Sequence, residues 1–173
     1  MSGSFAIREA RDADGPALEA LIAGVFREYP GCWLAKRTEM PQLLRPRSWF
    51  RSHHGRWWVA ELGGRVAGCI AAAPELRAGA VATVELKHLY VAAASRRQGL
   101  GARLCDLVDE FAAARGAARL VLWSDTRFTD AHRLYERLGW TPTGRMRALN
   151  DTSLTREREF VRTAPRGARS RGG

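Results

Sequence analysis

A single mixed α/β domain is the fold class this sequence predicts, and three observations predict it. At 173 residues with 46% hydrophobic side chains, the chain can bury one sizeable core without disulfides or metal and has no room for a second full domain. Apolar residues alternate along it between strand-like runs and stretches at helical spacing. A basic turn with two glycines, Ser95-Arg96-Arg97-Gln98-Gly99-Leu100-Gly101-Ala102, joins an apolar strand-like run to an amphipathic helix-like one.

In chain order, Phe5-Ala6-Ile7-Arg8 reads as a first strand, and Asp12 or Asp14 can cap the helix that follows, with Pro16 in its first turn. Leu18, Leu21, Ile22, Val25 and Phe26 recur at helical spacing, and Tyr29-Pro30-Gly31 stops the run. Residues 32–55, with Pro41, Pro46, Trp33, Trp49, Phe50 and many arginines, read as irregular. Two β-prone runs, Trp57 to Leu62 and Val66 to Ala71, flank Gly63-Gly64 and predict a hairpin. A strand from Val84 to Val91 leads into the glycine turn. From Leu100, apolar positions 104, 107, 108 and 111 make one helix face ending near Gly116. Leu120 to Trp123 predicts a buried strand, Ala131, Leu134, Tyr135 and Leu138 a helix ending at Gly139, and residues 140–162 two last strands with Asn150-Asp151 near their turn. Residues 5–163 form the predicted domain, and 164–173, ending P-R-G-A-R-S-R-G-G, a basic disordered tail.

Composition excludes several classes. Charges interrupt every apolar run well before the roughly 20 residues of a membrane span, and the N-terminus lacks a basic segment followed by a long apolar core. A cytoplasmic protein without a membrane partner is expected. Cys32, Cys69 and Cys105 are odd in number and far apart, with no ligand spacing for a metal, so no metal is expected. Net charge is +10, and the basic excess survives removal of Arg166, Arg169 and Arg171 from the tail. Such a balance suits anionic ligands, whether nucleic acid, a nucleotide cofactor or an acidic substrate, and equally a solvated arginine-rich surface.

Glycines at 99 and 101 let the backbone approach a ligand, and the helix starting there aims unpaired N–H groups and the positive end of its dipole at the same place. That geometry suits phosphate or pyrophosphate. A Walker loop would end in G-K-[ST], whereas Gly101 is followed by Ala102-Arg103. A dinucleotide fingerprint would place a third glycine where this chain has Leu104. What fits is [QR]-x-x-G-x-[GA], here Arg96-Arg97-Gln98-Gly99-Leu100-Gly101, preceded by Leu89-Tyr90-Val91. This resembles the pyrophosphate-binding motif of the GNAT superfamily of N-acetyltransferases. Ala131 to Trp140, A-H-R-L-Y-E-R-L-G-W, is similar to that family's A-x-x-[LF]-Y-x-x-x-G-[FY] helix, in the same order.

The resemblance implies a mixed, mostly antiparallel sheet of six to seven strands with about four helices, and acetyl-CoA as acyl-donor substrate. Main-chain groups at Leu89, Tyr90 and Val91 would pair with the pantetheine arm as another strand does, and amides from Arg97 through Gln98, Gly99, Leu100 and Gly101 to Ala102 would cradle the pyrophosphate. Arg96 and Arg97 would add charge-assisted contacts. Glu85 stands where several members carry the glutamate that deprotonates the amine, and His88 is the runner-up base. Tyr135 matches the tyrosine beside the CoA sulfur, able to give its proton to the leaving thiolate. Phe128 departs from the asparagine that many members carry there. No covalent acyl-enzyme is implied, since Cys105 has no histidine near it in sequence.

The implied acceptor is a primary amine on a small molecule, held mainly by residues 29–58 and the last strands. Arg37, Arg45, Arg47 and Arg51 read either as a site suited to an amino acid or acidic metabolite rather than polyamines or aminoglycosides, or as a solvated face. A protein, tRNA or ribosome-associated amine, or a non-catalytic CoA- or nucleic-acid-binding module, is the alternative, with nucleic acid ranked lower. Assembly as a homodimer stays open.

Overall fold

The computed structural model describes residues 4–77 and 80–165, so most of the basic tail lies outside the described residues. Seven strands form one sheet: β1 (Ala6–Glu9), β2 (Arg56–Leu62), β3 (Arg65–Arg77), β4 (Ala80–Val91), β5 (Arg119–Asp125), β6 (Thr141–Ala148) and β7 (Arg156–Thr163). Their order is β1-β2-β3-β4-β5-β7-β6. Every neighbouring pair is antiparallel except β4 with β5, which needs a crossover, and α4 (Leu100–Ala113) supplies it. The sheet is the mixed, mostly antiparallel one expected. The hairpin β3–β4 is longer than its apolar patterning suggested, since β4 begins at Ala80 rather than Val84.

Helices cover both faces. On one, Leu100, Leu104, Val108 and Phe111 of α4 pack with Val84, Leu86, Leu120 and Leu122 of the sheet, joined by Tyr135 of α5 (Thr129–Arg137). On the other, Leu18 and Ile22 of α1 (Gly15–Phe26) pack with Trp57, Val59 and Cys69. Alternation along the strands produces the two faces. Ala164 belongs to the first core and donates its N–H to the Ala118 carbonyl at 3.1 Å, one residue past the expected boundary.

Segment 32–55 is more ordered than its composition suggested. It holds a single helical turn, α2 (Lys36–Glu39), a 3-10 turn over Pro41–Leu44, and α3 (Pro46–Ser52). Pro41 and Pro46 open their turns rather than close them. Asp12 caps α3, accepting from the Ser48 N–H at 2.9 Å and from its hydroxyl, and so does not cap α1. Asp14 accepts from the Arg11 N–H at 2.6 Å and grips the Arg8 guanidinium at 2.7 and 2.9 Å.

The feature that positions the site is in mid-sheet. β4 and β5 pair from Thr83–Arg119 to Leu86–Leu122 and no further, although both strands continue. On the β3 side the register of β4 shifts between Cys69 and Ala71, where His88 takes φ +54°. An extra residue in one strand bends it and increases its twist. Beyond Leu86 the two strands therefore diverge, and the edge of β4 that faced β5 carries main-chain groups without a strand partner.

Candidate active site

A cleft of about 400 Å³ fills the gap between the diverging strands. Glu85, His88, Leu89, Tyr90 and Tyr135 all line it. Glu85 alternates with Val84 and Leu86, which belong to the core under α4 and α5, so it faces the opposite side of the sheet from Tyr135. The divergence lets both reach one space. Glu85 is ion-paired with Lys87 at 2.8 Å, as residues two apart on one strand face can be. Tyr135 is buried between Trp140 and Phe160, and burial pushes its hydroxyl pKa up, keeping the proton on the phenol.

His88 is a poor base. Its ring stacks on Trp57 at 4.8 Å and meets Gln42 Nε2 at 3.2 Å. Burial, with the Lys87 charge adding to it, pushes its pKa down to about 3. The thiols offer no nucleophile at neutral pH: burial raises Cys69 and Cys105 to about 12, and Cys32 in the same direction. No group of three His, Cys, Asp or Glu able to hold a metal ion occurs among the described residues. Among them, too, no helix is long and apolar enough to cross a membrane.

The glycine turn opens α4 as its motif requires. Gly99 takes φ +77° immediately before the helix, with open space where a Cβ would stand, and Arg97 to Gly99 are exposed. The first-turn amides of α4 thus face an open approach beside the edge of β4. Gly101 has a second reason: a Cβ there would meet the end of Leu134 of α5 at 2.8 Å. Arg96 is engaged inward, bonding both oxygens of Glu28 at 2.6 and 2.7 Å and the Val91 carbonyl at 3.0 Å. Arg97 remains the exposed cation of the turn. The unpaired edge of β4 and the open amide turn fit an extended, phosphate-bearing ligand such as acetyl-CoA. Phe128 fills its place with carbon, its ring centroid 4.7 Å from Tyr29 and 6.0 Å from Phe26.

The region expected to hold the acceptor departs from the sequence reading. Arg51 bonds Glu9 through two contacts of 2.8 Å, Arg47 approaches Glu9 at 3.9 Å and Arg45 approaches Asp12 at 4.0 Å. None of the three lines the cleft, and the side chain of Arg37 lies outside the described residues. The described lining instead holds Glu39, Glu85, Asp125, Asp151 and Glu157 against Lys87 and Arg147. Two distant loops close over it. Trp33 N–H donates to Ser153 Oγ at 2.8 Å, that hydroxyl donates back to the Trp33 carbonyl at 3.1 Å, and Glu39 accepts from Thr152 N–H and Oγ at 2.6 Å each. Patterning gave no sign of these partners, because the bonds span 113 and 120 positions.

Comparison with known proteins points to one family. The family model described as the acetyltransferase (GNAT) family matches residues 18–140. N-acetyltransferase 8F1 of Rattus norvegicus is 31% identical over 128 residues, covering 73% of this chain and 56% of that protein. The Xenopus tropicalis protein named probable N-acetyltransferase camello is 33% identical over 129 residues, covering 72% and 57%. The chain thus spans about half the length of these curated relatives. Among solved structures, a GNAT-family acetyltransferase of Staphylococcus aureus Mu50 superposes with TM-score 0.77 at 18% identity, covering 94% of this chain and all of that one. yncA of Salmonella typhimurium, solved with its cofactor acetyl-CoA, superposes with TM-score 0.70 at 20% identity, covering 98% and 99%. The matched segment contains the glycine turn, the diverging strands and the tyrosine helix, and this chain belongs to the GNAT family of acetyltransferases.

Proposed function

We propose that the protein transfers an acetyl group from acetyl-CoA to a primary amine of a small molecule, by direct attack in a ternary complex. The observation that carries this reading is the divergence of β4 and β5 past Leu86 and Leu122, with Glu85 on one side of the gap and Tyr135 on the other. Bound acetyl-CoA supplies the acetyl group as a thioester. Its arm would lie against Leu89, Tyr90 and Val91, and its pyrophosphate at the amides from Arg97 to Ala102.

Two protons have to move. An alkyl ammonium, with a pKa of about 10.4, must lose one before it can attack, and a departing thiolate, near 8.5, gains from receiving one. Glu85 takes the first, directly or through a water. Tyr135 holds the second, because burial keeps its phenol protonated. Glu39 and Asp151, beyond the ion-paired Glu85, Asp125 and Glu157, favour approach of a cationic amine. The closure of the Trp33 and Ser153 loops favours a small acceptor over a polypeptide segment.

Thiol release from acetyl-CoA, measured with a panel of amines, amino acids and lysine peptides, tests the reading. Small amines are expected to turn over. Turnover of peptides alone would move the acceptor to proteins, and binding of acetyl-CoA without any turnover would leave a sensing domain.

A further inference from the structure

His132 is a buried titratable group that the transfer above does not use, and it is joined to the cleft. Its Nε2 lies 3.2 Å from Ser124 Oγ, and the two residues are only 7% and 6% exposed. Ser124 lines the cleft with Leu89, Tyr90 and Tyr135. It stands two residues past the last β4–β5 pair. Leu120 and Leu122 before it belong to the core under α4 and α5, so alternation turns Ser124 to the Tyr135 side of the sheet. His132 and Tyr135, three residues apart on α5, share a helix face, and both rings pack on Phe160, at 5.2 and 5.7 Å. α5 thus delivers two polar groups to the donor side of the cleft: Tyr135 directly and His132 through Ser124.

Burial favours the neutral imidazole, with the Arg158 charge acting in the same direction and the Asp125 main chain against them. In a neutral ring that carries its one proton on Nδ1, Nε2 is an acceptor. The single proton of Ser124 is then drawn to Nε2, and the lone pairs of Oγ face the cleft. A second observation bears on the arm's donors. On the β4 side, Arg96 Nε takes one of the two lone pairs of the Val91 carbonyl, with Glu28 holding that arginine from the other end, so an acceptor on the β5 side adds to what the strand edge offers. A pantetheine arm brings two amide N–H donors, and an N–H enclosed without an acceptor loses affinity.

We propose that Ser124 Oγ accepts an amide N–H of the donor's pantetheine arm from the β5 side of the cleft, and that His132 is the positioning residue that fixes its polarity. This rests on acetyl-CoA being the donor. Calorimetric titration of the wild type and Ser124→Ala with CoA, and with adenosine 3′,5′-bisphosphate, which lacks the arm, separates the two claims. Ser124→Ala is expected to raise the Kd for CoA about tenfold and to leave the bisphosphate within about twofold. Ser124→Thr, which keeps the hydroxyl, is expected to restore most of the loss. His132→Phe is expected to weaken CoA in the wild-type background and to add nothing to Ser124→Ala. Equal weakening of both ligands, unchanged CoA binding, or additive effects of the two substitutions would overturn the assignment and leave acetyl-CoA as donor. A wild type that binds neither ligand would sink the donor reading and this inference with it. If Ser124→Ala does not fold, Ser124→Cys, of similar size and a weaker acceptor, carries the same comparison.

Discussion

The two sides of the cleft, one proposed for the donor and one for the acceptor, are built in opposite ways. On the donor side, one stretch from Val84 to Trp140 supplies the strand edge, the amide turn, the crossover helix and the tyrosine, mostly through main-chain geometry. On the proposed acceptor side, the segment from Trp33 through α2 and the loop after β6 meet from far apart in the chain and are held by a few side-chain bonds. Recognition by backbone shape leaves a local signature in the sequence, such as a glycine before a helix. Recognition by converging side chains leaves none.

The contrast can be broken at several points, and chemistry at the junction has the largest expected effect. Glu85→Gln should lower turnover about 100-fold near neutral pH with little change in the KM for acetyl-CoA. The loss should shrink as pH approaches about 10, where the amine loses its proton unaided. A pH–rate profile of thiol release checks this, and full turnover across the range would remove Glu85 from the mechanism.

His88 lies under both halves, and its effect is on stability. Its pKa is about 3 in the fold against an ordinary 6.5, so below pH 6.5 the unfolded chain binds a proton that the native ring refuses. Stability should therefore fall on acidification from pH 6.5 towards about 3, with a slope of up to ~1.4 kcal/mol per pH unit from this group. His132 adds in the same direction. His88→Asn, which tolerates positive φ and does not titrate, should flatten the dependence of melting temperature on pH; an unchanged slope would show that other groups control it.

On the donor side, Gly99→Ala introduces strain of about 1–2 kcal/mol into a left-handed position. It should raise the KM for acetyl-CoA about fivefold to tenfold. Gly116→Ala, with similar strain at φ +66° beyond the far end of α4, should lower the melting temperature and leave that KM alone. Equal effects on KM would mean that the turn at Gly99 has no special part in binding.

The smallest expected effect is on the acceptor side. Ser153→Ala removes the hydroxyl that ties the two loops and should raise the acceptor KM about threefold to fivefold, with the KM for acetyl-CoA unchanged. Arg51→Ala, which breaks an exposed pair with Glu9, should change neither constant. An increased acceptor KM in Arg51→Ala alone would return the basic segment to the site.

Much of the fold was legible because it follows from periodicity: the amphipathic α4, the Gly63-Gly64 hairpin and the alternating strands each bury one face. Less legible was the segment from Cys32 to Gly55. Its 3-10 turn and α3 start at prolines, and the cap of α3 comes from Asp12, 36 positions away from Ser48. The arginines there suggested an anionic acceptor, but Arg51 is bonded to Glu9, Arg47 and Arg45 lie near Glu9 and Asp12, and none of the three lines the cleft. A charge in a sequence does not disclose its partner.

By itself the sequence determined the α/β alternation, the amide turn at Gly99 and the candidate pair Glu85 and Tyr135, because each depends on neighbours within a few residues or on a motif. Only the tertiary structure decided where β4 leaves β5, that Arg96 is committed to Glu28, that His88 is too buried to act as a base, and that His132 reaches the cleft through Ser124. The physical reason is that pairing, burial and desolvation belong to positions in space, and residues far apart in the chain supply them.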